Sequence, residues 1–93
     1  MNFAFLVMGD FDHKRDHGSI HHGMAQIIGV ASIEEACVVA RRLVAEGVEC
    51  IELCGAFGAE GARKVIAATE HKLPVGYVVH LPEQDELFTA LFG

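Results

Sequence analysis

The sequence predicts an α/β fold: a four-stranded, mainly parallel sheet with about three helices, most of them on one face. Three observations carry this. From residue 25 onward, short apolar runs alternate with segments of helical periodicity. Gly or Pro marks nearly every junction between them. Each segment between consecutive runs is long enough for a crossover helix, which joins parallel neighbours. The predicted order is β-(long loop)-β-α-β-α-β-α. A chain of 93 residues makes one domain spanning 1–93.

The first strand is Phe3–Met8, closed by Gly9. Residues 9–24 hold much of the polarity and keep neither a period of 2 nor one of 3.6, so they read as a long loop with a short helical turn. The second strand is Ala25–Ala31. Ser32 is a helix N-cap, and Glu35 three residues later completes a capping box. Ala36, Val39, Ala40, Leu43 and Val44 form the apolar stripe of the first helix, and Gly47 stops it. Cys37, on the inward stripe of this helix, reads as core. The third strand is Val48–Cys54. The turn Gly55-Ala56-Phe57-Gly58 leads into a second helix over about 59–71, with Ala62, Val65, Ile66 and Thr69 inward. Lys72-Leu73-Pro74 connects to a fourth strand, Val75–Leu81. Pro82 starts a third helix, with Glu83, Asp85 and Glu86 in its first turns and an apolar face of Leu87, Phe88, Leu91 and Phe92.

Alternation divides the strands into unlike faces. Ile51 and Leu53 share one face of the third strand; Cys50, Glu52 and Cys54 share the other. Tyr77 and Val79 oppose Gly76, Val78 and His80 on the fourth. Helices are expected on the greasier face. The smaller, more polar face would look into a site, a partner subunit or a partial barrel.

Composition sets limits. The net charge is −6, and the bases form scattered pairs rather than a stripe. This excludes nucleic acid and opposes an anionic membrane surface. The apolar N-terminus lacks the basic start and cleavage site of a signal peptide. Three cysteines without CxxC spacing fit free thiols in a cytoplasmic protein. A chain of 10.0 kDa folds to roughly 5,200 Å² of surface. With 52% hydrophobic residues and a mean hydropathy of +0.33, a homo-oligomer is expected. The surfaces needing cover are the second sheet face and the 87–92 helix.

Ligands of parallel α/β sheets bind outside the carboxyl ends of the strands. Asp10, Glu52, Cys54 and His80 are expected along that edge. Glu52 and His80 form a candidate acid/base pair, with Cys54 a candidate nucleophile; the competing reading pairs Glu52 locally and lets His80 cap the third helix. Asp10, His21 and His22 form a candidate divalent-metal set of zinc-like chemistry, drawn from a loop that also holds His13 and His17. His13, His17 and His21 would share one face if that segment were helical. The competing reading is a solvated polar loop. Gly55, Gly58 and Gly61 expose backbone N–H groups at a helix start, a candidate anion or small-molecule site. The competing reading is tight packing of helix on strand, favoured by the nearby Glu60.

Met8-Gly-Asp-Phe-Asp12, Ile20-His-His-Gly23, Ala25-Gln-Ile-Ile-Gly-Val30, Ile51-Glu-Leu-Cys-Gly-Ala-Phe-Gly58 and Pro74-Val-Gly-Tyr-Val-Val-His-Leu-Pro-Glu-Gln-Asp85 together resemble a family of small bacterial proteins of unknown function. The resemblance spans the whole chain, implies no activity and assigns no residue a role. Residues 48–81 distantly resemble a strand-helix-strand slice of a (β/α)-barrel, which implies only that strand-end residues are the functional ones. Two functions are expected of such a chain. The first is binding of a small molecule, with a divalent metal as a candidate cofactor, at the strand ends. The alternative is a non-catalytic assembly module whose polar strand face is a subunit interface.

Overall fold

A computed structural model describes all residues, 1–93. It contains five strands: β1 (Phe3–Met8), β2 (His17–Ile20), β3 (Ala25–Val30), β4 (Cys50–Leu53) and β5 (Val75–Tyr77). The helices are α1 (Ile33–Ala45), α2 (Gly58–Ala68) and α3 (Asp85–Phe92), with 3-10 turns at Gly55–Phe57 and Pro82–Gln84. They form one sheet of order β2-β3-β1-β4-β5. Four strands are parallel, and β2 runs antiparallel to β3.

The fifth strand corrects the four-stranded expectation. His17-Gly-Ser-Ile20 carries no alternation, and all four residues are exposed. It is a strand because its backbone pairs with β3, from His17 opposite Ile28 to Ile20 opposite Ala25. The hairpin turn takes left-handed backbone at His21 (φ 51°), His22 (φ 57°) and Gly23 (φ 86°).

Other boundaries shift for local reasons. The third predicted strand loses Val48 and Glu49. Val48 N–H closes the end of α1 on the Leu43 carbonyl, and Glu49 N–H donates to Asn2 O. The fourth loses 78–81. Val78 N–H still reaches Leu53 O, but β4 ends there, so the chain beyond has no strand beside it. The second helix stops at Ala68. The Thr69 hydroxyl donates to the Val65 and Ile66 carbonyls, and Glu70 and His71 turn left-handed. The Ser32 half of the capping box forms as expected, Ser32 Oγ accepting from Glu35 N–H at 3.1 Å, but Glu35 Oε1 reaches one residue further back and accepts from Ala31 N–H at 3.2 Å instead of from Ser32 N–H.

The core lies on one face. Ala4, Leu6, Ile28, Val30, Ile51 and Leu53 from the strands meet Ala36, Val39, Ala40 and Leu43 of α1 and Ala62 and Val65 of α2. Both crossover helices therefore cover the greasier face. The reason is topological. The steps β3→α1→β4 and β4→α2→β5 run in one direction across the sheet, so right-handed crossovers place both helices on the same side. The step β1→β3 runs the other way and belongs on the opposite side. That step has no helix, only residues 9–24.

The second face is consequently bare. Two rows cross it: Ile20, Ala25, Phe3, Cys50, and then Gly18, Ile27, Phe5, Glu52, Gly76. The face is less polar than the third and fourth strands alone suggest, because β1 contributes Phe3, Phe5 and Val7. Only Phe11 folds back onto it, over Gly29, where a Cβ would lie 2.6 Å from the ring's Cγ.

Candidate functional site

Reversal of winding direction at β1 creates a switch point between β1 and β4, the place where parallel α/β sheets hold ligands. A cavity of about 780 Å³ opens there. Met8 and Cys54, at the ends of these two strands, line it with Gly55 and Gly58 of the following turn. Tyr77 to His80 form a second wall, and Phe88 and Phe92 of α3 a third.

Each wall has a local cause. Cys54 is held by its own thiol, whose Sγ accepts from Met8 N–H at 3.3 Å, bridging the two strand ends. Gly58 joins the 3-10 turn to α2 at φ 62°, ψ −176°, a conformation that only glycine adopts without strain. His80 is fixed from two sides. Its Nε2 lies 2.7 Å from Asp85 Oδ1, and its ring stacks on Phe88 at 3.9 Å between centroids and 9° between planes. When the neutral ring donates Nε2–H to the carboxylate, Nδ1 is left as the acceptor. The site thus combines apolar walls, a thiol and one oriented imidazole.

The predicted pairing of Glu52 with His80 does not form. Glu52 sits in mid-strand on the bare face, outside the cavity. Its carboxylate lies over Gly76, where a Cβ would come within 2.8 Å of Oε2. It accepts from Cys50 Sγ at 3.8 Å. Burial first, and then the Glu52 charge and hydrogen bond, push the Cys50 thiol above its ordinary range. The carboxylate partner of His80 is Asp85, which the sequence reading placed only as a helix-start charge.

The metal set is also taken apart. Asp10 follows β1 at the carboxyl edge, whereas His21 and His22 sit in the β2–β3 turn at the opposite edge. The two imidazoles lie 5.9 Å apart between centroids, and they occupy left-handed turn positions. No group of three His, Cys, Asp or Glu side chains is placed to hold a metal ion. Nor do His13, His17 and His21 share a helical face. His13 and His17 instead line a smaller cavity of about 400 Å³ with Lys14, Gln26, Ile28 and Arg42. The loop acids are used locally: Asp12 Oδ1 accepts from Lys14 N–H, Asp16 Oδ2 accepts from Asp12 N–H, and Asp12 pairs with Arg15.

Of the glycine triplet, Gly55 and Gly58 line the main cavity. Gly61 does not: a Cβ there would meet Phe57 and Ile33 at 3.1 and 3.3 Å, so it serves close packing of α2. Glu60 pairs outward with Arg63 at 2.7 Å. Cys37 packs against the core and donates to Lys64 O at 3.6 Å. Burial is the main cause that raises its thiol above the ordinary range.

Sequence reasoning missed Phe88, Phe92 and Asp85 as site residues. A signal was present: His80 and Asp85 flank Pro82, whose turn brings α3 back over the strand end. No helix of the chain is long and apolar enough to cross a membrane.

Fold and cavity define an open-faced α/β domain, wound with helices on one side and carrying its pocket at the switch point. The chain belongs to a family of unknown function, DUF6506, whose model matches residues 1–93. No curated protein and no solved structure matches it.

Proposed function

We propose that the domain binds a small, largely apolar molecule in the switch-point cavity, and that His80 reads one hydrogen-bond donor of that molecule. The observation that carries this reading is the His80 ring, locked by Asp85 and Phe88 at a cavity lined mainly by apolar groups. A pocket of this size with few, oriented polar groups suits a ligand of aromatic or short acyl character. Phe88 is already stacked between His80 and Phe92, so it holds the wall in place, and Phe92 at the end of that stack provides the ring face for a ligand. In the neutral ring that donates through Nε2, Nδ1 accepts a proton-bearing group such as a phenol O–H or an indole N–H without reorganising.

The test is heteronuclear NMR of the full chain titrated with phenol, indole and benzoic acid. Expected shifts cluster at Gly55, Tyr77, His80 and Phe88, and Phe88→Ala weakens binding at least tenfold. Shifts scattered over the surface, or none at millimolar ligand, would refute the reading.

A further inference from the structure

The smaller cavity lies on the helix-bearing side of the sheet, beside α1 and over the β2–β3 edge. We propose that it is an anion site and that its ligand is a small phosphomonoester. This does not rest on the reading of the switch-point cavity.

The fold explains why a groove is there. His17 stands opposite Ile28 in the ladder, and cross-strand partners share a face. Ile28 belongs to the core, so His17 looks to the helix side. Gln26, two residues from Ile28, does the same. α1 packs mainly on β1 and β3 and leaves β2 exposed at the rim. The resulting groove of about 400 Å³ is walled by Arg42 of α1 and by His13 and Lys14 of the turn before β2.

Its chemistry selects an anion. Every lining residue except Ile28 carries a side-chain N–H donor, and none is a carboxylate. This runs against the sign of the chain, whose net charge is −6. Lys14 forms no ion pair. Arg42 touches Glu46 through Nε alone, at 3.6 Å, which leaves both terminal amino groups of the guanidinium for an oxyanion. Two fixed cations repel a metal ion, so the imidazoles here act as donors rather than metal ligands. A phosphomonoester brings nearly two negative charges and three strong acceptor oxygens. That matches two cations and donors on three separate elements: the turn, β2 and α1. Ile28 and the Gln26 amide remain for the alcohol part.

The wall is built in advance. Arg15 and Asp16 N–H both donate to Asp12 O, and Gly29 N–H donates to Asp16 O, tying the turn to β3. Asp12 Oδ1 accepts from Lys14 N–H, and Asp16 Oδ2 from Asp12 N–H. The two loop acids are thus engaged within the turn. His13 Nδ1, in contrast, is buried with no hydrogen-bond partner. Buried polar groups are nearly always paired, so this ring is set for a partner that the chain itself does not supply.

The experiment is heteronuclear NMR of the full chain titrated with glycerol 3-phosphate, inorganic phosphate and succinate, at constant pH and ionic strength. Glycerol 3-phosphate is expected to shift the Lys14, His17 and Gln26 amides and to leave Gly55 and Tyr77 in place, which separates this outcome from that of the switch-point reading. Inorganic phosphate is expected at the same amides with lower affinity, and succinate at least tenfold weaker than the ester. Arg42→Gln changes an exposed side chain and is expected to weaken the ester at least tenfold. His17→Gln, on the exposed β2, is expected to weaken it about threefold. Glu46→Gln frees the guanidinium and is expected to tighten it about twofold. Arg41→Gln makes the same charge change one residue away and is expected to alter affinity less than twofold. No shift at these amides up to about 10 mM ester would overturn the proposal. So would inorganic phosphate or succinate binding as tightly as the ester, unchanged affinity in Arg42→Gln, or equal losses in Arg42→Gln and Arg41→Gln.

Discussion

Gly29→Ala probes how the bare face is partly covered. A Cβ at position 29 would lie 2.6 Å from Phe11 Cγ, 2.7 Å from Phe11 Cβ and 3.0 Å from Cδ1. These are the root atoms of the side chain, so a ring flip does not clear them; Phe11 must leave. Overpacking of this kind costs about 1–3 kcal/mol. Alanine in a strand recovers about 0.5–1 kcal/mol relative to glycine. The net expectation is a loss of about 1–2 kcal/mol, or roughly 5–15 °C in Tm for a chain of this size. Phe11→Ala alone, removing a ring that is 40% exposed, costs a similar 1–2 kcal/mol or so. In that background the obstacle is gone, and Gly29→Ala is expected to stabilise by about 0.5 kcal/mol. The coupling of about 2 kcal/mol stands well outside the ~0.3–0.5 kcal/mol scatter of independent sites. Urea denaturation of the four proteins at one fixed concentration measures it. An equal cost of Gly29→Ala with and without Phe11 would refute the reasoning.

Ser32→Ala removes the Oγ that caps α1 and is expected to cost about 1 kcal/mol by the same denaturation assay. Asp85→Ala breaks an exposed pair and is expected to cost under about 1 kcal/mol, while releasing the fixed tautomer of His80, visible in imidazole ¹⁵N shifts. Because the Cys50 thiol is raised above its ordinary range, its iodoacetamide alkylation is expected to lag an ordinary thiol and to need a higher pH. Glu52→Gln removes the one charge raising it and is expected to move that profile to lower pH, read residue by residue by mass spectrometry.

Much of the fold was legible in the sequence because side chains specified it. β1 was placed to the residue, and the Ser32–Glu35 box located α1. Most of the inward stripes of α1 and α2 lie in the observed core, Val44 and Ile66 excepted, which stay half-buried outside it. What escaped was specified by backbone. β2 exists through its ladder to β3, and its His-Gly-Ser-Ile sequence carries no period that could announce a strand. The site was half legible for a related reason. Strand-end position identified Cys54, Gly55, Gly58 and His80, all of which line the cavity. Alternation alone cannot tell mid-strand from strand end, so Glu52 was drawn to an edge that it does not reach. Asp85, Phe88 and Phe92 join the site because the chain turns at Pro82 and sets α3 beside His80; Pro82 marks that turn in the sequence, but spacing alone does not give its direction. The histidine run looked like a ligand set, but the hairpin spends His21 and His22 on its turn.

The two rims of the sheet have a consequence for solubility. β5 is three residues long, and the chain leaves it toward Pro82. β2 is four residues long and reversed in direction, with Lys14, Arg15 and Asp16 immediately before it. Short, charged or proline-flanked rims offer little template for another strand. Lateral growth of the ladder into fibrils is therefore disfavoured at both of its rims.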